Sequence, residues 1–97
     1  LSVAEYFAEW VSRLSEDKRK NRGICFGNRF FTLEQLVEEV KAGTDVGKKF
    51  EEMIIRGLIN WLGEKVSAEH VLSEINRRSV DGLRYLDKLR EMFSWGV

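Results

Sequence analysis

Residues 46–62 constrain this chain more than any other stretch. Placed at 100° per residue, Val46, Phe50, Met53, Ile54, Gly57, Leu58 and Trp61 fall on one broad face. Ile55, Ile59 and Leu62 form a second apolar stripe beside it, and Lys49, Glu52, Arg56 and Asn60 leave only a narrow polar strip. A helix apolar around so wide an arc must be surrounded. Either other helices of the same chain cover both stripes, or a partner covers one. A chain of 97 residues has material for one modest core. Gly57 costs about 1 kcal/mol relative to Ala inside a helix, and is expected to let another helix pack closely.

The remaining periodicities supply the neighbours. Val3, Tyr6, Phe7, Trp10, Val11 and Leu14 follow helical spacing, so 3–16 reads as a first helix opened by a Ser2/Glu5 capping box. It ends in a basic run, Lys18-Arg19-Lys20 and Arg22, where cations complement the helix dipole; the sharper alternative is an anion contact. The period then changes. Ile24-Cys25-Phe26, Gly27-Asn28 and Arg29-Phe30-Phe31 read as a β-hairpin over about 23–31. Pairing Phe26 with Arg29 puts Ile24, Phe26 and Phe31 on one face and Cys25 and Phe30 on the other. Thr32-Leu33-Glu34-Gln35 is a capping box for a second helix with Leu33, Leu36, Val37 and Val40 inward, stopped by Gly43. Thr44 or Asp45 caps the third helix at once, so the two are close neighbours. Ser67 opens a fourth helix burying Ala68, Val71, Leu72 and Ile75. Ser79 opens a fifth with Leu83, Leu86, Leu89 and Phe93 inward, flanked by Tyr85 and Met92. No internal repeat and no linker is visible. The expected fold is mainly α: one compact five-helix domain, 1–97, with a short hairpin between its first two helices. Trp10, Phe26, Leu36, Phe50, Ile54, Trp61, Leu72, Leu86 and Phe93 are expected to be largely buried.

Composition limits the function. Lys and Arg number 16 against 16 Asp and Glu, so no global charge draws the chain to nucleic acid or an anionic membrane. No apolar run approaches the roughly 18–20 residues of a membrane span, and Leu1-Ser2-Val3 does not open a signal peptide. The lone Cys25 cannot form an internal disulfide, which makes a reducing, cytoplasmic setting the default.

Catalytic motifs fare poorly. Gly43-Thr44-Asp45-Val46-Gly47-Lys48-Lys49 resembles a phosphate-binding loop only in outline. It has three residues between its glycines instead of four, Lys49 where a hydroxyl should follow the lysine, and no preceding strand. Cys25 and His70 are the one thiol and the one imidazole, with nothing in the spacing to join them. They are too few for a zinc site. Glu34, Glu38 and Glu39, or Glu51 and Glu52, gather carboxylates, but such runs are usually solvated. No enzyme activity, cofactor or metal is expected.

Two binding readings remain. In the first, the chain is a non-catalytic protein–protein interaction or assembly module that self-associates as a homodimer. Its contact is Ile55, Ile59, Leu62 and the terminal Trp95, since a small fold cannot easily cover both stripes. The alternative is a helix-turn-helix nucleic-acid binder. The tight Asn76-Arg77-Arg78-Ser79 link joins the fourth and fifth helices, and Arg77, Arg78, Arg84, Lys88 and Arg90 are available cations. Against it, Asp81, Asp87 and Glu91 share the exposed face of the reading helix.

Overall fold

The computed structural model describes residues 2–95, with no side-chain account of Trp95. It is mainly helical, as expected. The elements are α1 (Val3–Ser12), α2 (Glu16–Asn21), β1 (Gly23–Phe26), β2 (Arg29–Thr32), α3 (Leu33–Ala42), α4 (Asp45–Leu62), α5 (Ala68–Arg77) and α6 (Val80–Trp95). The first expected helix divides in two. Ser15 takes an extended conformation and its hydroxyl accepts the Lys18 N–H. A serine that bonds the backbone ahead of it competes with helix continuation. The basic run therefore sits on a short helix of its own, and six helices replace five.

The hairpin pairs in the expected register, Phe26 with Arg29 and Ile24 with Phe31. Phe31 is buried beneath it, while Cys25 and Phe30 face outward and are exposed. Thr32 ends β2 and caps α3 through a complete capping box with Gln35.

Two helical pairs, α3–α4 and α5–α6, form the body, with α4 packed on both α5 and α6. α1 closes over α3 and α6, and α2 and the hairpin lie against α3. Leu36, Ile55, Leu58, Val71 and Leu89 are fully enclosed, as is Phe7. Phe7 meets Phe50 edge-on at 4.9 Å and Trp10 stacks with Phe93 at 5.7 Å, which ties α1 to α4 and α6. Each such aromatic pair is worth about 0.5–1.5 kcal/mol beyond its buried area.

Several burial expectations need correction. Leu36, Phe50, Ile54 and Leu86 are buried as expected. Trp10, Phe26, Leu72 and Phe93 are half-buried, and Trp61 is 43% exposed. Leu83, expected inward, is 50% exposed because it lies beyond the edge of the α6 face centred on Tyr85, Leu86 and Leu89. Ile55, placed on the outward stripe, is completely buried. Gly57 meets no neighbour: a Cβ there would have nothing within 4 Å. The close approaches occur instead at Gly47 and Gly82, where a Cβ would lie 2.0 Å from the carbonyl oxygens of Glu39 and Glu74.

Candidate functional site

The first face of α4 stays inside at Phe50, Ile54 and Leu58 and opens only along one edge, while the second stripe is partly covered. Ile55 is enclosed by its own chain, and Ile59 and Leu62 are half-buried against the core. Ile55 therefore has no surface to offer a partner, whereas Ile59 and Leu62 keep partial exposure. Trp95, the fourth residue expected in the contact, lies outside the described side chains. The exposed edge is the other one: Met53 at 44%, Gly57 and Trp61 at 43%.

Position around the helix and the greater length of α4 together leave this edge open. α4 has 18 residues, whereas α3 and α5 have 10 each. At 1.5 Å per residue α3 is about 15 Å long and α4 about 27 Å. α3 joins α4 at the N-terminal end, so the last turns of α4 run past it. α5 and α6 take up part of the remainder, and the edge carrying Met53, Gly57 and Trp61 is left open. Those residues stand four apart on one line of the helix, two large side chains with a glycine notch between them.

The cations of the alternative reading are largely engaged. Arg84 makes a two-pronged contact with Glu64, at 2.8 and 3.4 Å, and lies over the Tyr85 ring. The Tyr85 hydroxyl donates to the same carboxylate at 3.3 Å. The Arg84 bond holds the Glu64 carboxyl below the usual carboxylate range. This cluster fastens the α4–α5 loop to α6. Arg77 pairs with Glu74 at 3.5 Å and Lys88 with Glu91 at 3.3 Å. Arg78 is exposed at the αL position closing α5.

The groups considered for catalysis are separate or structurally employed. Cys25 is exposed on the hairpin and His70 is exposed on the first turn of α5, with no hydrogen bond joining them. Among the described residues no three His, Cys, Asp or Glu side chains gather as a metal site. Glu34 bonds Arg19, Glu39 accepts from Thr44, and Glu52 pairs with Arg56. Glu51 is half-buried, and burial pushes its carboxyl pKa up. The Gly43–Lys49 segment is a helix corner, with Gly43 at φ 68° and the Thr44 hydroxyl accepting the Gly47 N–H. A groove of about 570 Å³ between α1, α2 and α3 is lined by Val11, Val37, Arg19, Glu34, Glu38 and Lys41 among others. No described helix is long and apolar enough to cross a membrane. Comparison with known protein families, curated proteins and solved structures finds no match for this chain.

The Met53–Gly57–Trp61 edge escaped sequence reasoning because angular position alone puts these residues with Ile54 and Leu58. The missing information was where the neighbouring helices pack on α4.

Proposed function

We propose that this chain is a non-catalytic protein–protein interaction module that self-associates through the open edge of α4. The observation that carries the reading is the exposure of Met53 and Trp61 on either side of Gly57. An edge of this form complements a second copy of itself. When two α4 helices cross antiparallel at Gly57, Met53 of each copy meets Trp61 of the other. The missing side chain at the crossing lets the backbones approach. Sulfur–aromatic contact is favourable, at about 0.3–1.5 kcal/mol per pair, and closed twofold dimers are the commonest assembly. A stable contact should bury more than about 1,000 Å² in total. A cytoplasmic setting belongs to the same reading.

Light scattering with circular dichroism tests it. Wild type should dimerise with concentration, and Trp61→Glu should give a helical monomer, because it places an unpaired charge in the contact. Gly57→Ala separates the contact from the fold. It should stabilise the monomer by about 0.5–1 kcal/mol, since the new methyl meets nothing and helix propensity improves, while weakening the dimer. A wild type that stays monomeric at high concentration, or a Gly57→Ala protein that dimerises as well as wild type, would overturn the proposal.

A further inference from the structure

The hairpin has two edges, and the register shows that they differ. The Leu33 N–H donates to the Arg22 carbonyl at 2.8 Å, which carries the ladder one step beyond the Gly23–Thr32 pair. Bonded and non-bonded pairs alternate along an antiparallel ladder. Arg22–Leu33, Ile24–Phe31 and Phe26–Arg29 are therefore the bonded pairs, and Gly23, Cys25, Phe30 and Thr32 turn their backbone groups outward. On the β2 edge the Thr32 N–H is taken by the Gln35 side chain at 3.0 Å, and α2 lies against that strand. On the β1 edge Cys25 is exposed, and among the described residues no hydrogen bond engages its N–H or C=O. The same register puts Arg22, Ile24 and Phe26 on one side of β1. Ile24 and Phe26 are half-buried. Arg22 is exposed, and among the described residues no ion pair engages it. Residues 13–32, which include the hairpin, carry six cations against two carboxylates, net +4.

We infer that the β1 edge binds an extended acidic peptide, which joins the hairpin as a third strand. The inference does not rest on self-association through α4. An open edge offers its unpaired N–H and C=O groups to a strand laid beside it. A two-stranded hairpin is marginal by itself, so a third strand strengthens the sheet that receives it. Side chains then select the sequence. In an antiparallel arrangement the residue opposite Ile24 shares the half-buried face and is apolar. The residue two positions further on stands opposite Arg22 and is Glu or Asp, because opposite charges attract across strands. The residues between bond to Gly23 and Cys25, whose small side chains leave room on the other face. A second copy of this edge would set one span of net +4 against another. A nucleic acid would supply phosphate to Arg22 but no N–H and C=O groups at the spacing of a strand.

Fluorescence anisotropy of a labelled peptide containing Val-Thr-Val-Thr-Glu, titrated with the full chain, tests the inference. Its central Val is meant for the position opposite Ile24 and its Glu for the position opposite Arg22. Wild type should bind. N-methylation of both Thr amides, which face the edge, should weaken binding about tenfold or more. N-methylation of the central Val, whose amide faces away, should change it by less than about threefold. Arg22→Glu should weaken binding about tenfold, and a peptide with Lys in place of Glu should recover most of that loss. Cys25→Pro removes the outward N–H without taking a ladder bond and should abolish binding, whereas Cys25→Ser should leave it unchanged. Circular dichroism verifies each fold. Where Cys25→Pro unfolds, hydrogen exchange of the wild-type Cys25 amide decides: it should be fast in the free chain and slowed by the peptide. Absence of binding overturns the inference. So do equal effects of the two N-methylations, failure of the Lys peptide to rescue Arg22→Glu, or tighter binding of an oligo-uridine strand than of the peptide. A Cys25 amide already protected in the free chain at high concentration would overturn it as well, by assigning the edge to a second copy.

Discussion

The corner between α3 and α4 and the corner between α5 and α6 lie thirty-five positions apart and are the same construction. In each, a glutamate near the end of the first helix accepts a backbone N–H from the residue that caps the second: Thr44 to Glu39 and Ser79 to Glu74, both at 3.3 Å. The capping hydroxyl returns to the same glutamate's side chain, Thr44 to Glu39 and Ser79 to Glu74. It also accepts the N–H of a glycine three residues on, Gly47 at 3.1 Å and Gly82 at 3.0 Å. One residue thus ends one helix and begins the next, with no loop to lose entropy in. The cores behind the corners correspond too: Leu36 with Val71, Val40 with Ile75, Phe50 with Tyr85 and Ile54 with Leu89 are all buried. Two of the differences between the corners bear on stability. The left-handed residue is Gly43 in one and Arg78 in the other, and the position of buried Leu86 is held by half-buried Glu51.

The largest expected effects come from the shared element. At Gly47 and Gly82 a methyl group would meet backbone, which cannot swing aside as a side chain does. Gly47→Ala and Gly82→Ala should each cost about 3 kcal/mol, at the upper end for overpacking. Urea denaturation reads the loss. If either glycine tolerates alanine, that corner is looser than its counterpart and the equivalence fails.

The capping hydroxyls come next. Thr44→Ala and Ser79→Ala should each cost about 1–2 kcal/mol at neutral pH. Ser79 has an added signature. Its hydroxyl bond, helped by Arg77 and His70, holds the Glu74 carboxyl below the usual carboxylate range. A depressed carboxyl contributes stability above its unfolded pKa and loses it as pH falls through the folded value. Stability measured from pH 6 downward should therefore fall less steeply in Ser79→Ala than in wild type. Parallel curves would mean that the Ser79–Glu74 bond does not set the acid response.

Glu51 marks the point where the first pair departs from the second. Burial raises its pKa, so its charged form disfavours the fold. The sign is opposite to that of Glu74: stability is fully present below the unfolded pKa and declines as pH rises through the folded value. Glu51→Leu, which installs the residue type of the second pair, should stabilise by about 1 kcal/mol at pH 7 and less at pH 4. A gain independent of pH would assign the effect to packing alone.

Most of the local structure was legible because it rests on residue chemistry at short range. Thr32 with Gln35, Ser67 and the Gly27-Asn28 turn each announce themselves, and the hairpin register follows from them. The 35-residue correspondence was not, because between 32–58 and 67–93 only Glu34/Glu69, Glu39/Glu74 and Gly47/Gly82 are identical. Serine matches threonine and arginine matches glycine only once the hydrogen bonds are known. The break after Ser12 was missed because Leu14 continues the apolar period while Ser15 ends the helix by capping the next one. The exposed edge of α4 depends on how far each neighbour reaches, which periodicity within α4 does not encode.

The smallest predicted effect is the sharpest test of the comparison. Arg78 adopts φ 54°, ψ 37°, close to the φ 68°, ψ 30° of Gly43. A side chain in the left-handed region costs roughly 1–2 kcal/mol. Glycine escapes that cost but gives back about 0.5–1 kcal/mol as extra freedom in the unfolded chain. Arg78→Gly should therefore stabilise the protein by only about 0.5 kcal/mol. Gly43→Arg should destabilise by a similar amount, since the Cβ at 43 meets nothing within 4 Å and strain is the whole effect. The exchange of both residues should leave stability near wild type, because the corners lie in separate helical pairs and independent effects add. Thermal and urea unfolding of the two single variants and the double measure all three values. If Arg78→Gly destabilises, the arginine side chain supplies the second corner with an interaction the first one lacks. The corners would then share their hydrogen bonds but not their energetics.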